Sequence, residues 1–192
     1  MPDNFRRLQA SDEEMRKFDP FVHAVTTITS PHRMAHDGFM FHASGKVTGM
    51  VDSNVDEFLL VTAAGNFPHL QRMRFDFGRG DIDVQAYEGA TTSNDGTPIV
   101  IHNTNRNSSH TADLSFNSAP TLTGDGTLIH TTWAPPTANG VGQSAQGVSN
   151  IEAGEEWILQ PSTKYLIRVT NNSGGTISYR WELLFYEVGY DE

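Results

Sequence analysis

Cysteine is absent from the 192-residue chain, which removes disulfides, thiolate metal sites and cysteine nucleophiles from consideration. Positive charge is scarce too. Lys and Arg number 13 against 23 acidic residues, a formal net charge of -10 with histidines neutral, so there is no basic footprint for phosphate and no nucleic-acid partner is expected. No apolar run approaches membrane-spanning length, and residues 1–9 (MPDNFRRLQ) lack the apolar core of a secretory signal; no membrane partner is expected, and synthesis is placed in a cytoplasm. A G-x-S-x-G elbow and a glycine-rich phosphate loop ending in lysine are also missing.

What the chain does have is strand after strand. Residues 39–50 (FMFHASGKVTGM), 57–63 (EFLLVTA), 70–77 (LQRMRFDF) and 81–88 (DIDVQAYE) are separated by DSNVD, GNFPH and GRG. PIVIH, ADLSF, LIHTTW and EWILQ follow, and then KYLIRVTNNSGGTISYRWELLFY (164–186) reads as two alternating runs hinged on NNSGG. In the first run Tyr165, Ile167 and Val169 share a face; in the second Ile177, Tyr179, Trp181, Leu183 and Phe185 do. Strands at this spacing, with no helix-length insertions and no fixed-period repeat, predict an all-β, jelly-roll-like antiparallel β-sandwich over residues 38–192.

Residues 1–37 differ in texture and are expected to form an extended N-terminal arm. A capping box from Ser11 to Glu14 opens one short helix ending before Pro20, and β-branched residues 21–29 suggest an extended segment that needs a partner surface. Residues 135–150 (PPTANGVGQSAQGVSN) are too small and polar to order themselves and read as a surface loop.

Candidate chemistry is thin. His32, His36 and His42 invite a metal, but Pro31 and Gly38 argue against the helix that would bring His32 and His36 together. DSNVDE (52–57) starts like a calcium loop, then lacks the glycine at its sixth position and the glutamate at its twelfth. Arg79-Gly80-Asp81 reads most simply as a hairpin turn, Asp76, Asp81 and Asp83 as a solvated face, and the Asn107 and Asn171 sequons as turn residues. NTNRNSSH (103–110) fits an interlocking loop and a self-capped one equally. No catalytic residue, metal ligand set or cofactor is expected.

Three stretches, HDGFMFHASGKV, YEGATTSNDGTPIVIHNTNRNSS and EEWILQPSTKYLIRVTNNSGGTISYRWELLFYE, together resemble small virion proteins of tailed bacteriophages, of the capsid decoration or cement type. The resemblance implies a non-enzymatic structural protein, made in the bacterial host and carried on the capsid surface. There it would bridge subunits of the major capsid protein as a homo-oligomer, three copies about a local threefold axis being one arrangement. By position, Phe21, Val25 and Ile28 of the arm and Asn105, Arg106 and Asn107 of the loop would form the capsid and subunit contacts. The alternative is a carbohydrate-binding adhesion module on a phage head, tail or fibre, with Trp133 or Tyr190 as stacking platforms; the bland reading of Trp133 is a core anchor.

Overall fold

The computed structural model describes residues 16–18, 25–27, 30–78, 80–135, 146–149 and 156–189. Strands β1 (Arg16–Phe18) and β2 (Val25–Thr27) pair antiparallel, with Phe18 opposite Val25. The helix expected up to Pro20 therefore does not extend over residues 16–18, where pairing with the β-branched Val25–Thr27 segment outweighs local helix signals.

Helix α1 (Ser30–Asp37) is a second correction. Pro31 stands in its first turn, where its missing N–H would be unbonded in any case. Gly38 (φ 81°) ends it, its N–H donating to the Ala35 carbonyl while the Phe39 N–H donates to that of Met34. Proline just inside the start and glycine just past the end mark this helix rather than break it.

The body is a sandwich of two antiparallel sheets. β3 (Met40–Met50), β4 (Val55–Val61), β5 (Asn66–Phe77) and β6 (Ile82–Glu88) go to the two sheets in turn. An excursion follows through β7 (Thr91–Asn94), β8 (Thr97–Pro98), β9 (His102–Asn103), β10 (Ser115–Ser118) and β11 (Thr121–Gly124). β12 (Thr127–Ala134), β13 (Gln146–Ser149), β14 (Trp157–Ile158), β15 (Lys164–Asn171) and β16 (Ile177–Gly189) complete the chain. One sheet runs β13-β5-β16-β3-β9, with β14 also on β5, and the other runs β12-β6-β15-β4-β10-β8; β7 and β11 pair as a separate ribbon.

The last two long runs do not form a hairpin. β15 lies between β4 and β6 while β16 lies between β3 and β5, so NNSGG is an arch that carries the chain from one sheet to the other. Alternation fixes which face is buried but says nothing about which strand lies alongside, and each run here finds two flanking partners instead of its neighbour in sequence. Asn171 holds the arch: its buried amide donates to the carbonyls of Met50 and Gly175, and its Oδ1 accepts from the Ser173 N–H. Gly80 is likewise in a crossover and not a hairpin turn, since Phe77 pairs with Tyr179 and Ile82 with Asn171.

Two further expectations change. GNFPH is no separator, because β5 runs through it; the Pro68 carbonyl accepts from the Leu159 N–H, so its backbone faces away from β16 and its missing N–H costs no bond there. Residues 146–149 of the expected loop form β13 against β5, a pairing made by backbone groups that a polar sequence can supply as well as an apolar one.

Between the sheets the predicted inward residues meet. Tyr165, Ile167 and Val169 of β15 and Ile177, Tyr179, Trp181, Leu183 and Phe185 of β16 all lie in one buried cluster. Trp181 joins the sheets: its ring centroid is 5.6 Å from that of Phe58 and 5.3 Å, edge-on, from that of Phe116. Gly45 lies opposite Trp181 in the β3–β16 register, and a Cβ there would stand 2.4 Å from the indole Cζ2; the indole occupies the space a side chain would fill. The register slips between Leu184 and Phe185 against β5, so Leu70 and Met73 both face inward although three positions apart.

The outer face of the β15 sheet is partly covered. Leu59, Leu166 and Ala90 form a second buried cluster with Val61, Tyr87 and Leu122. Lys164 pairs with Asp95 beside the ribbon, and the Arg168 guanidinium binds both Asp125 oxygens at 2.8 and 2.9 Å and Glu57 at 2.8 Å. These hydrogen bonds hold the Asp95 and Asp125 carboxyls below their ordinary range.

Gly45→Val is expected to destabilise the fold by about 1–3 kcal/mol through overpacking against Trp181, measured by urea denaturation. In a Trp181→Leu background the same substitution should cost clearly less; an equal cost in both backgrounds would place the clash elsewhere.

Candidate interaction surface

Among the described residues β12 is the edge of its sheet, paired with β6 alone. A register shift between Leu128 and His130 leaves Ile129 as the extra residue, so Leu128 (48% exposed) and Ile129 (42%) both reach solvent. Beyond the bulge Ala134 is buried, and the His130 ring meets Trp157 edge-on at 5.4 Å. Trp133 points outward and is 54% exposed, so it is not the core anchor of the bland reading.

Trp133 is held rather than loose. Its indole N–H donates to Asp81 Oδ1 at 2.9 Å. Asp81 takes a φ of 90°, a left-handed conformation that non-glycine residues seldom adopt, and is fixed by its own N–H bonded to the Ala134 carbonyl and by its carbonyl accepting from the Asn172 N–H. A Cβ at Gly80 would stand 2.3 Å from the Pro135 carbonyl oxygen, so a glycine is what lets this crossover lie so close to the end of β12. Asp83, opposite Trp133 in register, accepts from Asn172 Nδ2 at 2.9 Å.

The NTNRNSSH loop is self-capped. Asn103 Oδ1 accepts from the Asn105 N–H and Asn105 Oδ1 from the Asn107 N–H. The Asn105 amide donates to the His36 carbonyl at 2.8 Å, and the Asn103 amide donates to that of Gly38 at 2.7 Å. Asn105 is thereby committed to the C-terminal end of α1, while Arg106 and Asn107 stay exposed. Val25 lies in β2; Phe21, Ile28 and Tyr190 lie outside the described residues.

Because α1 exists, His32 and His36 do meet, Nε2 to Nε2 at 2.9 Å. Among the described residues, however, no group of three or more His, Asp or Glu side chains is arranged to hold a metal. Asp76 is not part of a solvated face: it is 6% exposed and accepts from Arg74 and Arg180. Asp52 of the calcium-like stretch accepts from the Gly174 N–H at the arch.

Sequence reasoning missed the Leu128–Ile129 pair, although two adjacent apolar residues in a strand cannot both face one core. It also missed Glu187, which is 6% exposed at the rim of a cavity of about 460 Å³ lined in part by Phe39, Phe41, Asn66, His110 and Asp113. Both Glu187 oxygens accept backbone N–H bonds, from Asp113 at 2.9 Å and Leu114 at 2.7 Å. Compared with known protein families, curated proteins and solved structures, the chain matches none.

Burial pushes the Glu187 carboxyl above its ordinary value of 4.5, with the two N–H bonds pulling the other way. A carboxyl raised by folding adds stability that is full below its unfolded pKa and is lost as pH rises through the folded one. The unfolding free energy of the wild type minus that of Glu187→Gln should therefore be largest below pH 4.5 and shrink toward neutrality. A difference that grows toward neutral pH would show that the N–H bonds outweigh burial.

Proposed function

We propose that the protein is a structural component of a tailed-phage virion that decorates the capsid exterior and stabilises it by bridging capsid subunits. The observation that carries this reading is the β12 edge, where Leu128, Ile129 and Trp133 stand exposed on a strand whose outer side has no partner among the described residues. Large apolar and aromatic side chains held on a rigid framework are what a protein–protein contact uses for most of its binding energy. Strand order supports a matching scaffold: β15 and β16, last in the chain, insert between β4 and β6 and between β3 and β5, which we read as a jelly-roll winding. The β1–β2 ribbon supplies further backbone for contact with a neighbour, and many weak copies on a repeating lattice add through avidity.

Mass spectrometry and imaging of purified particles should place the protein on the head exterior. Ile129→Lys, at an exposed position, should leave the melting temperature unchanged and weaken binding to undecorated heads at least about tenfold, the loss given by removing one apolar anchor. Deleting residues 1–29 should also weaken binding while the sandwich stays folded. If both variants bind heads as tightly as the full chain, the reading is wrong.

A second reading rests on Trp133 alone. An exposed indole whose N–H is already bonded to Asp81 leaves a ring face for the apolar side of a sugar, with the hydrogen-bonding groups of Asp83 and Asn172 close by. On a glycan array, a hit that disappears with Trp133→Ala would move the assignment to adhesion, and absence of any hit for the wild type removes it.

A further inference from the structure

We propose that His32 and His36, one turn apart on α1, form a two-imidazole chelate for a divalent transition ion that takes ligands at right angles, of the Ni²⁺ or Cu²⁺ kind. The site lies on a different element from the β12 edge. It goes beyond the capsid reading and would bind the same ion wherever the protein resides.

Two nitrogens define the site. His32 Nε2 and His36 Nε2 lie 2.9 Å apart, with ring centroids separated by 4.7 Å and planes tilted by 42°. One tautomer makes this contact a hydrogen bond. With both rings in the Nδ1–H form, two lone pairs converge on the same space, a repulsive arrangement that a cation turns into a ligand set. At metal–imidazole bonds of about 2.0–2.1 Å, nitrogens 2.9 Å apart subtend about 90° at the ion. That is the angle between neighbouring ligands in square-planar or octahedral coordination; a tetrahedral ion would need the nitrogens roughly 3.3 Å apart.

The surroundings keep the pair in place and open. The His36 carbonyl accepts from the Asn105 amide at 2.8 Å, and the Phe39 N–H donates to the Met34 carbonyl, so the turn that carries both rings is pinned at its C-terminal end. Both histidines are exposed, and among the described residues neither ring has a hydrogen-bond partner besides the other. The neighbouring carboxylate does not join them, since Asp37 accepts from Arg33 Nε at 3.2 Å. The chain therefore supplies two ligands and leaves the remaining positions to water or to a donor from another molecule. Calcium and magnesium seek oxygen and gain little from such a pair. A second histidine pair gives an internal comparison: His42 and His102 face each other across β3 and β9 with ring centroids 5.7 Å apart.

The test is a titration of the full chain with nickel chloride, followed by calorimetry and nuclear magnetic resonance, with calcium chloride as the oxygen-seeking control. Ni²⁺ is expected to bind saturably and to broaden the His32 and His36 ring signals first, and Ca²⁺ to leave them unchanged. His32→Ala and His36→Ala are each expected to weaken Ni²⁺ binding about a hundredfold, the loss of an intramolecular second ligand, while His42→Ala leaves it as in the wild type. Both replaced residues are exposed and alanine favours a helix, so the circular dichroism of the variants should match that of the wild type. The proposal is overturned if Ni²⁺ does not saturate, if Ca²⁺ broadens or shifts the same signals, if either folded variant on α1 binds as tightly as the wild type, or if broadening centres on His42 and His102. Should an alanine variant lose α1, the position of the broadening on the wild type decides.

Discussion

The sandwich depends on one side chain crossing from sheet to sheet. Trp181 stands on β16 at the centre of its sheet and meets Phe58 and Phe116 of the other, and it can do so only because the residue opposite on β3 is Gly45. That notch ties two strands together through shape in a way that neither composition nor alternation expresses. From it follow the inward rows on β15 and β16, since a register shifted by one residue would turn Trp181 and its companions out to solvent. The bulge in β5 serves the same end, restoring the inward phase for Met73 after Leu70.

A second constraint acts on the opposite face. Leu59 and Leu166 are completely buried although they point away from the main core, so the β7–β11 ribbon has to lie over them. Arg168 fastens that cover by sharing its donors between Asp125 and Glu57 with Tyr87 beneath its guanidinium. A pair of this kind, only partly buried, contributes modest stability and considerable geometric definition. The cover stops short of β12. Trp133 and Leu128 are therefore left outward, exposed on the part of the sheet face that the ribbon does not cover.

How much of this the sequence disclosed follows from what each signal encodes. Period-two patterning assigned the inward residues of β15 and β16 correctly and gave the all-β class, because burial of one face is written in alternation. Partner choice is not. An arch and a hairpin place the same residues inward, and NNSGG suits both. Pro31 and Gly38 were legible but misread: each permits a helix at its own end and forbids one only in the interior. The hold of Asp81 on Trp133 joins residues far apart in the chain through a strained backbone, and no local pattern announces it. Glu187 was hidden for a related reason, since a carboxylate following an aromatic run looks like a strand's exit to solvent until the N–H groups of Asp113 and Leu114 are found against it.

The form of the β12 edge bears on how a partner would meet it. An unbroken edge strand invites another strand to extend the ladder, which is the route to uncontrolled association that natural sheets avoid. Here the bulge at Ile129 breaks the even spacing of backbone groups on β12. Extension by backbone pairing is thus hindered at that place, while Leu128, Ile129 and Trp133 remain presented as side chains. Selectivity would then come from the shape of the surface that receives those three residues, and such a contact can recur between copies on a lattice without propagating into fibres.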